Sequence, residues 1–248
     1  MKPYMIVIFL LCLLVHSVNA EDENQDWITH YYKDPSPDRF VAEVRRLSRT
    51  GIMSRRGARG PLTAFLSRIL NANPDHIKQW VDALMELPEE DKNILLDATW
   101  YSDTKEGRQY LKDKGSSEHF KMDAPDILEL DLTTPGTLDM LWGYFMATGQ
   151  KEPIFRIVKA LELGKFQGAL ERFKSSELKT EKEKKEAISE AIFRAAMWSL
   201  ESNCKLHPRV LEYCEQIFMT DTLPRAQKLW LAVILSKIKP EKYSIKRK

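Results

Sequence analysis

The chain has 248 residues, 43% of them apolar and 30% charged, with only 10 glycines and 12 prolines; this is the composition of a folded globular chain and excludes a low-complexity one. Its 38 basic residues nearly balance 36 acidic ones, a net charge of +2. So small a field gives no ground for a general affinity for nucleic acid or anionic membrane, and any such binding needs a local patch.

At the N-terminus Lys2 precedes an apolar run over residues 5–15, and Val18-Asn19-Ala20 places small residues where a signal peptidase cuts. The expectation is a signal peptide over 1–20, cleaved after Ala20, and a mature chain 21–248 that is periplasmic or secreted. The run is far shorter than the roughly 20 apolar residues of a membrane span, so no stable span is expected after cleavage. Cys12 lacks the small neighbours of a lipidation site.

Trp27, Ile28, Tyr31 and Tyr32 share one helical face before Pro35 and Pro37 end the turn. The cluster Trp27, Tyr31 and Tyr32 reads as core, or as a pocket for an apolar ligand. Ser36-Pro37-Asp38 opens a helix with Phe40, Val41, Val44 and Leu47 inward, stopped at Gly51. A cationic, glycine-bearing linker over 54–60 leads to Pro61 and a helix carrying Leu62, Phe65, Leu66, Ile69 and Leu70. Asn73 caps and Pro74 begins the next, with Ile77, Trp80, Val81 and Leu84 aligned; Pro88 begins another with Ile94, Leu95 and Ala98. Links this short predict that neighbouring helices pack as antiparallel hairpins. Thr104 to Lys114 forms a further helix, stopped by Gly115.

The pattern fades over 116–132, a candidate sub-domain seam within what otherwise reads as a single domain, 21–248. Beyond it, Thr133 or Thr134 caps a helix with Leu138, Leu141, Trp142 and Phe145 on one stripe, ended by Gly149. Ile154, Ile157, Val158 and Leu161 give the matching stripe of a second helix, and the two read as a central hairpin. Phe166, Leu170 and Phe173 form a short helix. Thr180 and Glu183 have capping-box spacing ahead of a long one with Ile188, Ala191, Ile192, Ala195 and Trp198 facing in. His207-Pro208 opens the next helix; Asp221 or Thr222 caps the last, which carries Ala226, Leu229, Trp230, Val233 and Ile234. Residues 237–248 read as a basic tail that nothing holds. The fold expected is therefore all-α with about eleven helices, an irregular, α-solenoid-like stack of antiparallel helical hairpins or, alternatively, a compact helical bundle.

No serine elbow, phosphate loop, paired histidines at ligand spacing or zinc-type cysteine pair is present, so no catalytic residue, metal or cofactor is assigned. His30, His76, His119 and His207 are scattered. Glu89-Glu90-Asp91 suits the start of a helix, where negative charge favours the dipole. The feature with most functional promise is the arginine cluster Arg45, Arg46, Arg49, Arg55, Arg56 and Arg59, whose guanidinium groups could receive an anion or an anionic partner, with the linker glycines allowing the loop to adapt. In an exported chain Cys204 and Cys214 invite a disulfide, while the apolar stripe shared by Cys214, Leu211 and Phe218 equally suits buried thiols.

The motifs Asp26-Trp27-Ile28, Tyr31-Tyr32, Pro35-Ser36-Pro37-Asp38 and Leu141-Trp142-Gly143-Tyr144-Phe145-Met146-Ala147-Thr148-Gly149 resemble those of a group of exported bacterial all-helical proteins of uncharacterised function. The resemblance implies a bacterial, exported helical protein and carries no activity with it. Together these readings point to a non-enzymatic binding or scaffold protein that presents a helical surface to a protein or peptide, with no nucleic-acid role. The alternatives are an apolar-ligand or envelope-lipid binder and an enzyme with an unfamiliar site.

Overall fold

The computed structural model describes residues 27–115, 120, 122–176 and 180–243; the expected signal peptide over 1–20 and His119 lie outside them. The protein is all-α. Eleven α-helices lie between Phe40 and Ile238, with four 3-10 segments and no strand among the described residues. They are α1 (Phe40–Arg49), α2 (Arg59–Ala72), α3 (Ile77–Asp82), α4 (Glu89–Tyr101), α5 (Lys105–Asp113), α6 (Pro135–Thr148), α7 (Glu152–Lys159), α8 (Ala169–Ser175), α9 (Glu181–Leu206), α10 (Pro208–Phe218) and α11 (Arg225–Ile238). Several boundaries follow the residues singled out in the sequence. Thr104 Oγ1 accepts from the Gly107 amide, Thr180 and Glu183 form a complete capping box, and Gly51, Gly115 and Gly149 take positive φ after their helices.

The described residues form two compact units. One holds residues up to Leu130 together with Asp139–Gly149, and the other holds Asp131–Leu138 with everything from Gln150. The first boundary falls inside the predicted seam at 116–132. Residues 139–149 then return to the N-terminal unit, so α6 is shared between the units and α7 belongs to the C-terminal one.

In the N-terminal unit α2 is the organising helix: nine of its 14 residues are buried, from Pro61 through Leu70. A helix buried on so many sides needs partners on several faces. α4 packs along it, and α5 packs on both α4 and α3. This corrects the expected pairing of sequence neighbours around Pro88. The physical reason lies after Asp82, where the α-helix loosens into i to i−3 turns, with Leu84 donating to Val81, Met85 to Asp82 and Leu87 to Leu84. α3 is left only six residues long. Asn73 does not cap it; its side-chain amide donates back to the Ile69 carbonyl, and Pro74–His76 forms a 3-10 turn.

α6 approaches α2 closely at Gly143. A Cβ placed there would stand 2.1 Å from the Pro61 carbonyl oxygen, a distance no side chain tolerates.

In the C-terminal unit the 26-residue α9 is the hub. Against it pack α7, the 3-10 segment Ala160–Phe166, α8, α10 and α11. In a solenoid each unit touches only its neighbours, so this arrangement follows the bundle alternative rather than the stack. Phe193 meets the Trp230 ring at 5.0 Å and Glu201 meets Lys237 at 2.7 Å, so α9 and α11 run side by side in the same direction. Glu190, buried on α9, accepts from the Leu170 amide at 2.7 Å and from Arg194 at 2.6 Å. Burial pushes its carboxyl up, and these donors, with the Gly168 amide, outweigh that and hold it below its ordinary value.

Three expected orientations and one expected cap are corrected here: Ala226 is exposed, and α11 starts behind Pro224 with no side-chain cap from Asp221 or Thr222. Trp198 is 43% exposed and Leu229 56% exposed, whereas both were expected inward. α11 is apolar on nearly every side, so periodicity cannot choose its face; the buried set is Gln227, Leu231, Ile234 and Leu235. On α9 the buried stripe continues through Ser199 and Leu200, leaving Trp198 at its edge. The basic tail is also held as far as Tyr243. Lys239, Lys242 and the Tyr243 hydroxyl converge on one oxygen of Glu215 at 3.0, 3.1 and 3.0 Å, and Tyr243 meets the Phe218 ring at 5.5 Å.

The two close-packed glycines give a graded expectation. Gly143→Ala meets backbone and is expected to cost about 3 kcal/mol or prevent folding. Gly164→Ala meets the Trp230 and Phe193 rings, with the nearest atom at 2.4 Å, and rings can shift; it is expected to cost about 1–2 kcal/mol less. Urea denaturation of both variants checks the order.

Candidate functional site

The arginine cluster spans the end of α1, the loop after it and the first residue of α2. The loop is held by internal contacts. Met53 and Ala58 are buried, and Ile52, Arg55 and Ala58 donate backbone bonds to Leu47, Ile52 and Arg55. Asp91, buried in the first turn of α4, accepts from Ser48 and Ser54 on either side of the turn at Gly51. Buried carboxylates persist where they are hydrogen-bonded, and here the acidic start of α4 ties down the loop that carries the cations.

Three of the six arginines engage carboxylates of the same unit. Arg45 donates to Glu86 at 2.9 Å and to the Ala83 carbonyl at 2.6 Å, Arg59 grips Asp97 at 2.9 and 2.6 Å, and Arg46 pairs with the buried Glu43, which Arg39 also contacts. Arg68 donates to the Tyr101 carbonyl and stands over the Tyr144 ring at 5.2 Å. Arg49, Arg55 and Arg56 are exposed, and Arg49 and Arg56 make no ion pair or hydrogen bond among the described residues. The structure therefore brings the six residues into one stretch while directing Arg45, Arg46 and Arg59 to internal carboxylates, a choice that residue type alone does not reveal.

The aromatic cluster is core. Trp27, Tyr31 and Tyr32 are all buried; Trp27 and Tyr31 meet Phe65 edge-on at 5.1 and 5.6 Å, and Tyr32 packs on Phe145 at 4.9 Å while its amide donates to the Met146 carbonyl. Trp27 Nε1 donates to Ser36, which consequently does not cap the helix behind it. Such filling leaves the rings to one another, and burial, with Asp38 nearby, pushes the Tyr31 hydroxyl up to about 12. His76 stacks on Trp80 at 4.9 Å. Among the described residues no three His, Cys, Asp or Glu side chains are placed to hold a metal, and no helix is long and apolar enough to cross a membrane.

Two features went unread in the sequence. One is the exposed pair Trp198 and Leu229, hidden because helices with apolar residues on many sides do not declare which are left over. The other is Asp139 on α6, partly exposed and with no hydrogen bond or ion pair among the described residues; burial alone pushes its carboxyl up to about 7. One turn on, the buried Trp142 Nε1 also lacks a hydrogen-bond partner. Cys204 and Cys214 are both buried and free, with their sulfurs 3.6 Å apart.

Asp139 yields a signed expectation. Its carboxyl binds a proton more tightly folded than unfolded, so it subtracts stability as pH rises from about 4 to about 7, and the loss is complete above that. Asp139→Asn is expected to stabilise the protein by about 1–2 kcal/mol at pH 8, discounted for its partial exposure, and to leave it unchanged at pH 4. Denaturant midpoints at the two pH values measure this. Compared with protein-family models, curated proteins and solved structures, the chain gives no significant match.

Proposed function

We propose that this is an exported, non-enzymatic binding protein whose C-terminal unit presents α9 and α11 to a protein or peptide partner. The observation that carries the reading is the exposure of Trp198 and Leu229 on these two parallel helices. Phe193 and Trp230 mark one level of the helix pair and Glu201 and Lys237 another; Trp198 lies between them and Leu229 beside the first. The two side chains are thus within about two helical turns along the axis. Tryptophan is the residue most enriched among those that dominate protein interfaces, since one side chain removes a large apolar area from water. Lys237 and Arg194 flank them, exposed and paired with Glu201 and Glu190, as charged rims flank apolar interface centres. The partner of matching chemistry is a peptide or helix with an apolar face bordered by acidic side chains. Export is supported by the charged start, apolar run and small-residue cleavage pattern over residues 1–20.

A photoreactive amino acid at position 198, placed in the cells that make the protein, is expected to yield a discrete cross-linked adduct. The same probe at the exposed Lys184 should not, and Leu229→Glu should abolish the adduct at 198 without moving the thermal midpoint. Equal labelling from both positions, or no adduct, would sink the binding role. Export has its own check: the protein should be recovered outside the cytoplasm beginning at Glu21, and recovery with Met1 attached would remove that part.

A further inference from the structure

The turn at His207-Pro208 reverses the chain between α9 and α10. It is fixed by the His207 amide donating to Asn203 at 2.8 Å and the Val210 amide donating to His207 at 2.9 Å. The reversal carries Cys214, on the second turn of α10, back against Cys204 on the last turns of α9, and the sulfurs meet at 3.6 Å. Both side chains are buried, at 3% and 0% exposure. We infer that Cys204 and Cys214 form an intramolecular disulfide that clamps α9 to α10.

The sulfurs are in contact, and a bond needs them at about 2.05 Å, a closure of roughly 1.5 Å that lies within the reach of modest side-chain rotation. In the reduced state the site holds two thiols, weak donors and weak acceptors, facing each other with little else to bind. Cys214 is held mainly protonated by the neighbouring Cys204 sulfur and by burial, so the folded, reduced protein exchanges slowly and the bond forms while the chain is folding. The oxidant is a disulfide of small-molecule or protein origin. One cysteine thiolate attacks it, releasing one thiol of the oxidant and leaving a mixed disulfide; the second thiolate displaces the other thiol. Two protein thiols become one disulfide, the oxidant's disulfide becomes two thiols, and nothing else is consumed. The clamp also has a place in the fold. Cys214 precedes Glu215, on which Lys239, Lys242 and Tyr243 converge, so it fixes the helix to which the C-terminal segment is fastened.

This inference is independent of the binding role and of export, because it is tested on purified protein. The full-length chain, denatured and reduced, is refolded in an oxidised/reduced glutathione buffer, alkylated and digested with trypsin, which cuts between the cysteines at Lys205 and Arg209. The expected product is the peptide 195–205 joined to 210–225 and separated by reductant, in most of the refolded protein. Oxidation of the already folded, reduced protein should be at least about tenfold slower, as buried thiols are inert. The oxidised form should also melt higher by about 5 °C or more than either its reduced form or the Cys204→Ser/Cys214→Ser variant. Recovery of both peptides alkylated, or of glutathione adducts without the joined pair, would overturn the inference. So would a linkage of either cysteine to Cys12 in its place.

Discussion

The approach of α6 to α2 at Gly143 and Pro61 sets the geometry of the N-terminal unit. Where two helix backbones come this near, the side chains on either side of the contact must be fitted around it, and those side chains are the aromatic core. Phe65 on α2 and Phe145 on α6 receive Trp27, Tyr31 and Tyr32, and the Tyr32 amide is bound by a carbonyl of α6. A residue with a side chain at 143 would push apart surfaces that are packed to crystalline density, with no slack to absorb the change. The burial of nine residues of α2 rests on the same closeness.

The C-terminal unit meets the same demand differently. Its long helix leaves Arg194, Trp198 and Lys205 exposed, while the polar residues on its packed side, Glu190, Ser199 and Asn203, are satisfied inside. Glu190 is the clearest case, fastening the start of α8 and neutralised by Arg194. Small residues at 187, 191, 195 and 196 admit the neighbours closely, and Gly164 lets Trp230 and Phe193 close over the 3-10 segment. The two units thus share a plan, one central helix against which others pack, while differing in whether aromatic rings or buried ions fill the spaces.

Local signals hold at some helix ends and fail at others: Asn73, whose amide donates back to the preceding helix, and the Asp221-Thr222 pair make no cap. Thr180 caps its helix and Gly51, Gly115 and Gly149 end theirs as expected, because hydroxyl bonding and positive φ are properties of the residue itself. Pairing was less legible. Nothing local to Pro88 says that α2 will prefer α4, since that preference arises from how many faces of α2 are apolar. The face of α11 was misread because leucine, valine and tryptophan lie all round it, and the placement of Gln227 inside is decided by neighbours that come from far along the chain. The arginines illustrate the same limit at the candidate site. Glu43 is near its partners in sequence, but Glu86 and Asp97, which take up Arg45 and Arg59, are 41 and 38 residues away.

The fastening of residues 239–243 has a consequence of its own. Three donors share one acceptor atom on Glu215, and they come from three side chains of one short stretch. Burial of that carboxyl works against its charge, yet the three donors prevail and keep it ionised below the usual carboxylate range. The attachment therefore behaves as one latch rather than three independent bonds: a single proton arriving at Glu215 in strong acid would loosen all of them together, and the chain end would come away in one step.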